Sequence, residues 1–273
     1  MIALHARRSA ASIHAWAAQH PDRPLIVVLT GTDLYRDIEL DASARQSLHL
    51  ATHLVVLQEA GVAILPKDLQ FKARVIFQSA PRLKPAVKSV RRFTALMVGH
   101  LRDEKDPLTF MNAARLGDSR NIYYKQIGDG LDSALANAAK LTAVDQPNYS
   151  WLGGLPRAQT RQCIKRAHVL VNSSIMEGGA HVILEAVQSG TPVLASHISG
   201  NVGMLGPDYC GYFDVGDAAA LASLIKRCAA EPAFLLHLQS QCALRAELFE
   251  PALEKRLVLN LVASALKEIH ERP

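Results

Sequence analysis

The chain has 273 residues, of which 49% are hydrophobic and 5% aromatic, so it is long enough for two packed domains with aliphatic cores. Its longest apolar runs, such as Leu25–Leu29, are far too short to span a bilayer, and we identify no signal peptide. The net charge is +5 without a basic run or interleaved aromatics, which favours a small anionic ligand over nucleic acid.

Strand-length apolar runs alternate with helical stretches along the chain. The candidate strands are Leu25–Leu29, Leu54–Leu57, Ala73–Phe77, Thr94–Gly99, Ile122–Ile127, Tyr149–Leu152, Val169–Val171, Pro192–Ala195 and Gly211–Phe213. The candidate helices include Pro107–Leu116, Ser133–Leu141, Arg157–Ala167 and Ala180–Gln188. This alternation predicts an α/β fold in which helices cover parallel sheets.

One segment, Ser79–Arg92, interrupts the alternation and is predicted to link two Rossmann-like domains. It contains Pro81 and Pro85 among several basic residues, which is typical of a linker. After Asp217 the pattern is helical throughout and ends in Leu253–Ile269. The expected division is a first domain at residues 1–90, a second at residues 91–250 and a C-terminal helix within residues 251–273.

The chain begins almost at once with I-A-L-H-A-R-R-S-A, which predicts an inner strand followed by its turn. The first domain then has about three strands, whereas a Rossmann-like domain normally has more. We therefore expect that an N-terminal strand–helix–strand portion is absent from this sequence. A genuinely small domain is the alternative.

Two first-domain loops are expected to face the cleft between the domains, because each follows a predicted parallel strand. One is L-T-G-T-D-L-Y, which places Thr30, Gly31 and Asp33 at a strand end. The other contains His5 and the adjacent pair Arg7 and Arg8, which has the charge and the donors to hold an oxyanion such as phosphate; Ser9 ends the same turn. A surface arginine pair that caps a helix is an equally good interpretation of position alone.

The second domain opens with V-G-H-L-R-D-E-K-D-P, in which a strand ends at Gly99 and a helix begins at Asp106-Pro107. His100, Arg102 and Lys105 therefore lie at the carboxyl end of a strand, where open α/β sheets bind ligands. Lys105 is the natural partner of a diphosphate. Taken alone, this segment is more typical of a solvated charged loop.

The run S-S-I-M-E-G-G-A-H-V-I-L-E-A-V-Q-S-G-T-P-V-L-A-S, from Ser173 to Ser196, places Glu177 and Glu185 on either side of a Gly-Gly entry to a helix. The free N–H groups and positive dipole end of a helix N-terminus suit a phosphate. Carboxylates beside it suit the hydroxyls of a ribose or a hexose. Together these features predict a site for a sugar nucleotide.

A further glycine-rich run, S-G-N-V-G-M-L-G, follows a strand and contains Gly200 and Asn201. It predicts a close approach of backbone to ligand, with a plain irregular loop as the alternative.

We expect no metal site, because His49 and His53 have no third ligand nearby in sequence and no Asp-x-Asp pair is present. Four widely spaced cysteines without a C-x-x-C pair predict reduced thiols in a cytoplasmic protein: Cys163, Cys210, Cys228 and Cys242.

In this order and at these spacings, the motifs resemble those of the retaining glycosyltransferases of the GT-B fold, family 4, although each motif is weak by itself. The acid pair separated by seven residues is matched by Glu177 and Glu185, and the trailing A-x-x-x-G-x-P-V-x-A-S is matched from Ala186 to Ser196. The loop G-R-L-x-x-x-K is matched by Gly99, Leu101 and Lys105. The resemblance implies two Rossmann-like domains, a UDP-sugar as donor substrate, no cofactor beyond that donor and no metal.

The same resemblance implies a role for each matched residue. Lys105 would bind the donor diphosphate, Glu177 the sugar hydroxyls and Glu185 the ribose hydroxyls. The expected catalytic residues are Lys105, His100 and Glu177. The expected donor-binding residues are Gly99, Arg102, Leu155 (by its backbone, at the base), Gly178, Gly179, Ala180, His181, Glu185, Gly200 and Asn201. The expected acceptor-binding residues are His5, Arg7, Arg8, Thr30, Gly31 and Asp33. The final helix would cross back onto the first domain.

Three departures from the family pattern narrow the resemblance. His100 stands where the family usually has arginine, Thr30 stands where many members have histidine, and Gly179-Ala180-His181 replaces Phe-Gly-Leu. With these departures the chain resembles, from residue 2 onward, one branch of the family, the selenosugar synthases of selenoneine biosynthesis. That likeness implies transfer of a hexose, of glucose or N-acetylglucosamine type, from a UDP-hexose to selenophosphate. Full-length members of that branch begin earlier, which agrees with the expected N-terminal truncation.

Two alternatives remain open at the level of sequence. One is a family 4 transferase that uses a hydroxyl acceptor in glycan or glycolipid synthesis. The other is a catalytically silent fragment that binds a sugar nucleotide. We expect the protein neither to bind nucleic acid nor to insert into a membrane. The sequence leaves open which hexose is transferred, the anomeric outcome and the oligomeric state.

Overall fold

A computed structural model describes residues 1–117 and 120–270 of the chain. Within them, two parallel sheets are covered by helices, which confirms the predicted α/β fold. The first sheet has the order β1-β2-β3-β4 and consists of β1 (Ile2–Leu4), β2 (Ile26–Leu29), β3 (His53–Val56) and β4 (Ala73–Val75). The associated helices are α1 (Ala10–Gln19), α2 (Ile38–Leu40), α3 (Ala42–Leu50) and α4 (Gly61–Ile64).

The second sheet has the order β10-β9-β8-β5-β6-β7. Its strands are β5 (Phe93–Val98), β6 (Ile122–Ile127), β7 (Tyr149–Trp151), β8 (Val169–Asn172), β9 (Val193–Ser196) and β10 (Tyr212–Phe213). Its helices are α5 (Pro107–Leu116), α6 (Ser133–Asp145), α7 (Arg157–Arg166), α8 (His181–Val187), α9 (Ser199–Leu205), α10 (Ala218–Ala230) and α11 (Pro232–Leu244).

The central strands are buried on both faces, which explains why the sequence shows continuous apolar runs there. Every residue of β8 and β9 is buried, as parallel strands between two helical layers must be. Each sheet has its own aliphatic core, built around residues such as Leu29 and Leu54 in the first and Leu170 and Leu194 in the second. Two separate cores under two sheets define two structural units.

The first strand lies at the edge of its sheet in the described residues, and its place as an inner strand of a larger domain stays a prediction. β1 pairs with β2 along one side and lies at the edge of the four-stranded order. Its outward residues Ile2 and Leu4 are 51% and 61% exposed. Apolar character alone does not distinguish an edge strand from a central one, because the sequence does not show which strands lie beside it.

The linker runs without regular structure from the end of β4 to β5 and lies against the second domain. The Leu83 N–H donates to the Gln188 carbonyl at 2.8 Å, and Lys88 Nζ donates to Thr191 Oγ1 at 3.2 Å. Two carbonyls of the linker also accept hydrogen bonds: that of Pro81 from Arg161, and that of Ser89 from the ring of His168. These bonds make the linker part of the second domain's surface.

The last helix, α12 (Pro251–His270), packs on the first sheet. Its residues Leu261 and Ala265 form a small core with Ile26 and Val55. Residues 271–273, the end of the C-terminal segment in the expected division, lie outside the described residues. The chain therefore leaves the first domain at the linker and returns to it through α12.

Candidate active site

The loops at the carboxyl ends of both sheets meet in one cleft, where glycines let the two domains touch. A Cβ atom on Gly178 would lie 2.5 Å from Gly31 N and from the Thr30 carbonyl oxygen. A Cβ on Gly179 would lie 2.7 Å from Leu57 Cβ, also in the first domain. The Gly-Gly entry to α8 therefore lies against the first domain, while its N–H groups remain at the helix entry where the resemblance expects the donor.

Asp33 organises the first-domain side of the cleft. Its side chain is fully buried, and one carboxylate oxygen accepts the N–H groups of Thr30 and Gly31 at 2.9 and 2.8 Å. The other oxygen accepts the N–H of Ala6 at 3.0 Å, which ties this loop to the one after β1. The structure thus gives Asp33 a positioning role, and its direct contact with an acceptor stays a prediction.

The loop after β1 brings His5, Arg7 and Arg8 to the same side of the cleft, as the sequence predicts. His5 is buried with a φ of 71°, and its Nε2 lies 3.0 Å from Thr32 Oγ1. Both arginines are exposed, but the Nε of Arg7 is already committed to Asp37, to which it donates at 2.8 Å. Of the two arginines, Arg8 is therefore the better placed to meet an anion from solution.

On the second domain, the loop after β5 holds His100, Arg102 and Lys105. His100 Nδ1 accepts the backbone N–H of Asp129 at 3.1 Å, which ties this loop to the turn after β6. The Gly128-Asp129-Gly130 turn fits closely against this loop, since a Cβ on Gly128 would lie only 1.9 Å from the Gly99 carbonyl oxygen. Arg102, in the same loop, is exposed.

Lys105 and Glu177 form the tightest charged contact of the cleft. Lys105 Nζ donates to Glu177 Oε1 at 2.5 Å, and Ser174 Oγ donates to the same oxygen at 2.6 Å. Glu177 is only 8% exposed, so its charge is balanced inside the protein by the ammonium group of Lys105. Two groups that the resemblance assigns to the donor are thus brought together.

A buried polar network holds this carboxylate from behind. Ser174 Oγ lies 2.8 Å from Asn172 Oδ1, and Asn172 in turn donates to Asn201 at 3.0 Å. Asn201 is fully buried and also donates to the Ser196 carbonyl oxygen at 2.9 Å. Its role in this structure is therefore to support the site, and ligand contact by Asn201 stays a prediction.

The glycine-rich run predicted as a ligand loop forms helix α9 instead. A Cβ on Gly200 would lie 2.0 Å from the Glu177 carbonyl oxygen, so the close approach that the glycine permits is to the loop of Glu177. The sequence indicated a close approach of the backbone here, and the structure shows one to the loop of Glu177. The alternative of a plain irregular loop is wrong, and contact of Gly200 with a ligand stays a prediction. Glycine is needed at position 200 because α9 packs directly on the loop that contains Glu177.

Glu185 also has cationic partners. It lies on α8 and is 5% exposed, with Arg157 Nε at 3.3 Å, His181 Nε2 at 3.5 Å and Arg161 Nε at 3.9 Å from its Oε1. Burial alone would raise the pKa of Glu185. The hydrogen bond from His181 and the positive charges of His181, Arg161 and Arg157 outweigh burial and hold it below its ordinary value of 4.5.

Sequence reasoning missed several residues of the cleft, although two left a signal. Arg157 begins α7, where a positive charge opposes the helix dipole, and such a residue suggests a partner outside its own helix. Tyr35 ends the motif L-T-G-T-D-L-Y, and its hydroxyl accepts from Gln58 Nε2 at 2.8 Å. Neither Ser174 nor Gln58 carries a distinguishing pattern, because single polar residues near strand ends are common.

Other site predictions concern backbone groups. Leu155 lies in the loop before α7, and its carbonyl accepts from Thr160 Oγ1 at 3.2 Å. Ala180 is 2% exposed at the entry to α8.

In the part of the chain that the structure describes, we find no group of three or more His, Cys, Asp or Glu residues arranged to hold a metal ion. No helix there combines the length and apolar character needed to cross a membrane.

The chain belongs to the family described as "Glycosyl transferases group 1", whose model matches residues 82–245. The fold is that of the GT-B glycosyltransferases. HepE from Anabaena, solved in complex with UDP and glucose, aligns with a TM-score of 0.77 at 16% identity, over 93% of this chain and 76% of that one.

Two curated proteins are similar to this chain in sequence. "Glycosyltransferase 1 domain-containing protein 1" of Xenopus tropicalis is 29% identical over 153 residues, which are 55% of this chain and 43% of that protein. "UDP-Gal:alpha-D-GlcNAc-diphosphoundecaprenol alpha-1,3-galactosyltransferase" of Escherichia coli is 26% identical over 164 residues, or 55% and 40% of the two chains. The matched region thus spans about two-fifths of each of these relatives.

Proposed function

We propose that this chain transfers a hexose from a UDP-hexose to selenophosphate and so forms a selenosugar. The observation that carries the donor part of the proposal is the Lys105–Glu177 pair, with its 2.5 Å contact, beside the entry to α8. A cation and a buried carboxylate at that position suit the diphosphate and the sugar hydroxyls of one donor. The complex of HepE with UDP and glucose and the UDP-galactose named for the Escherichia coli relative support a UDP-sugar donor.

Donor binding then requires an exchange of partners. The diphosphate draws Lys105 away from Glu177, which frees the carboxylate for sugar hydroxyls. The ribose hydroxyls compete in the same way with Arg157 and His181 for Glu185. Each buried carboxylate thereby exchanges a cationic partner for a substrate hydroxyl. Lys105 is left facing the diphosphate, whose negative charge grows as the bond between the sugar and the diphosphate breaks.

Selenophosphate suits the first-domain side of the cleft. Its selenium is already a strong anionic nucleophile, so attack on the anomeric carbon needs no general base, and Thr30 stands where many family members have histidine. Selenium forms the new bond to C1 while the C1–O bond to the diphosphate breaks and UDP leaves. Water then cleaves the P–Se bond of the product, which releases phosphate and the selenosugar. Arg8, exposed beside His5, supplies a cation for the incoming anion.

A hydroxyl acceptor is the second candidate, favoured by the diphosphoundecaprenol-linked sugar named for the Escherichia coli relative. UDP release measured with a panel of UDP-hexoses separates the two. We expect release that depends on selenophosphate and is not supported by glycerol, free sugars or lipid-linked sugars. Release driven by a hydroxyl compound and indifferent to selenophosphate would reject the selenosugar proposal. No release with any donor would favour a silent sugar-nucleotide-binding fragment.

A further inference from the structure

The three cationic neighbours of Glu185 differ in how firmly they are held. Arg157 and Arg161 lie one turn apart on α7, and both point toward α8, which carries His181 and Glu185. The side chains of Arg157 and His181 are 67% and 39% exposed, whereas that of Arg161 is only 12% exposed. Two of the three neighbours can therefore turn away into solvent, and Arg161 cannot.

The linker between the domains anchors Arg161. A terminal nitrogen of its guanidinium donates to the Pro81 carbonyl at 2.5 Å. Further along the linker, the Leu83 N–H donates to the carbonyl of Gln188, just after α8, at 2.8 Å. The same stretch of linker is thus bonded to both helices that meet at Glu185, and the guanidinium is held in place independently of the carboxylate.

A second donor of Arg161 is still available. Its Nε is buried and makes no hydrogen bond within residues 1–117 and 120–270. It lies 3.9 Å from Glu185 Oε1, which is about 1 Å beyond a normal hydrogen bond. Because a buried donor without an acceptor is costly, Arg161 gains a hydrogen bond when the carboxylate moves this short way toward it.

Donor binding requires a cation that stays beside Glu185. Ribose hydroxyls donate hydrogen bonds to the carboxylate, but they bring no positive charge to replace that of Arg157. Without another cation, the buried carboxylate would be left with its charge unbalanced. Burial raises the pKa of Glu185, and the hydrogen bond from His181 lowers it; of the two arginines, Arg161 lowers it more.

We propose that Arg161 is a positioning residue, which holds the carboxylate of Glu185 toward the ribose hydroxyls after Arg157 and His181 have turned away. The Pro81 carbonyl fixes its guanidinium from the linker, and its Nε takes up the carboxylate. The proposal deepens the proposed glycosyl transfer and rests on its donor site. The effect of Arg161 therefore depends on the ribose hydroxyls and is independent of the acceptor.

The test measures the Kd of UDP and of dideoxy-UDP, which lacks both ribose hydroxyls, by calorimetry. We expect Arg161→Gln to weaken UDP binding about tenfold, the lower range for a hydrogen bond to a charged group, and to leave dideoxy-UDP binding unchanged. Arg161→Lys keeps the charge and should recover part of the loss. Arg166→Gln, at an exposed position on the same helix, is the matched control and should behave like the parent protein.

Two further variants assign the effect to one arginine and one carboxylate. When Arg161→Gln is added to Glu185→Gln, UDP binding should weaken no further, because the arginine acts through that carboxylate. Arg157→Gln should tighten UDP binding by up to about fivefold, because it removes an exposed partner that the ribose must displace.

Several outcomes would overturn the proposal. These are equal losses for UDP and dideoxy-UDP in Arg161→Gln, an additive double variant, or a ribose-dependent loss in Arg157→Gln as large as that in Arg161→Gln. A parent protein that binds both ligands equally would also overturn it, and one that binds no UDP would reject the donor site as well. A parent protein that prefers UDP to dideoxy-UDP but forms no selenosugar would reject the proposed acceptor alone, and the binding data would still decide the role of Arg161.

Discussion

Both acids of the pair that first indicated a sugar-nucleotide site have cationic partners in this structure. Glu177 contacts Lys105, and Glu185 contacts Arg157 and His181. A buried carboxylate without such a partner would be costly, so these pairs stabilise the site in the absence of substrate. The same pairs must be rearranged when a donor binds, which makes them informative targets for substitution.

Replacing Lys105 tests the leaving-group role. We expect Lys105→Ala to lower the rate of UDP release about a hundred- to thousandfold, because it removes the cation nearest the expected diphosphate. Lys140→Ala, at an exposed position on α6, is the matched control and should behave like the parent protein. Steady-state kinetics measure both. Normal turnover by Lys105→Ala would refute the assignment of the diphosphate site.

The partners of Glu185 predict a dependence of stability on pH. Since its pKa is lowered on folding, the ionised carboxylate stabilises the folded state above the ordinary value of 4.5, and this contribution is lost as the pH falls through the lowered pKa. We expect Glu185→Gln to be less stable at pH 7 by about 2 kcal/mol. The difference in the free energy of unfolding between the variant and the parent protein should narrow below pH 4.5. Urea unfolding across this range measures it, and a gap that is constant with pH would contradict the prediction.

At the scale of elements, the linker contains a lysine whose environment favours its neutral form. Burial lowers the pKa of Lys88 from 10.5 to about 8, and its ammonium donates to Thr191 Oγ1. The unfolded chain keeps this proton between pH 8 and 10.5 while the folded chain loses it, so the contribution of Lys88 to stability rises with pH across that window. Below pH 8, the buried charge of Lys88 lowers the stability of the folded chain.

Lys88→Met tests this account of the linker, because it keeps the length of the side chain and removes its charge. We expect the variant to be more stable than the parent protein at pH 7 by up to about 3 kcal/mol, and the difference should shrink between pH 8 and 10.5. Chemical denaturation at a series of pH values measures the difference. A variant that is less stable than the parent at pH 7 would show that the bond to Thr191 outweighs the cost of burying the charge.

Two elements of the second domain agree best with the sequence prediction. Ile122–Ile127 and Pro107–Leu116 agree with the structure residue for residue, because a run rich in isoleucine and tyrosine and a proline-started helix have strong local signals. Helix α9 was missed because its glycines discourage helix in isolation, and packing on Glu177 and Gln58 outweighs that propensity. The edge position of β1 depends on strand order, which no local pattern encodes.

At the scale of the whole molecule, the candidate site depends on how closely two separately built domains approach each other. The sequence predicted Lys105, Glu177 and Glu185 from motif spacing, and the structure brings Lys105 and Glu177 into contact. It did not predict their pairing, nor the hydrogen bond that Gln58 donates to Tyr35. Such contacts join residues that are distant in sequence, so no spacing within one segment reveals them.

Replacing Gly178 tests whether the reaction depends on the close contact between the two domains. The Cβ added by Gly178→Ala meets the backbone at Thr30 and Gly31 at 2.5 Å, so the two domains must move apart. A displacement of about 1 Å at a reacting centre is expected to reduce turnover about a hundredfold. Kinetics together with thermal unfolding measure the effect. Parent-like turnover would show that the reaction does not need this contact.

The most direct test of the account is mass spectrometry of the product formed from a UDP-hexose and selenophosphate, with the parent protein and with Lys105→Ala. The account predicts a hexose that carries one selenium atom, formed together with UDP by the parent protein and nearly absent with the variant. UDP release accompanied only by free hexose or by a sugar joined to a hydroxyl compound would contradict it.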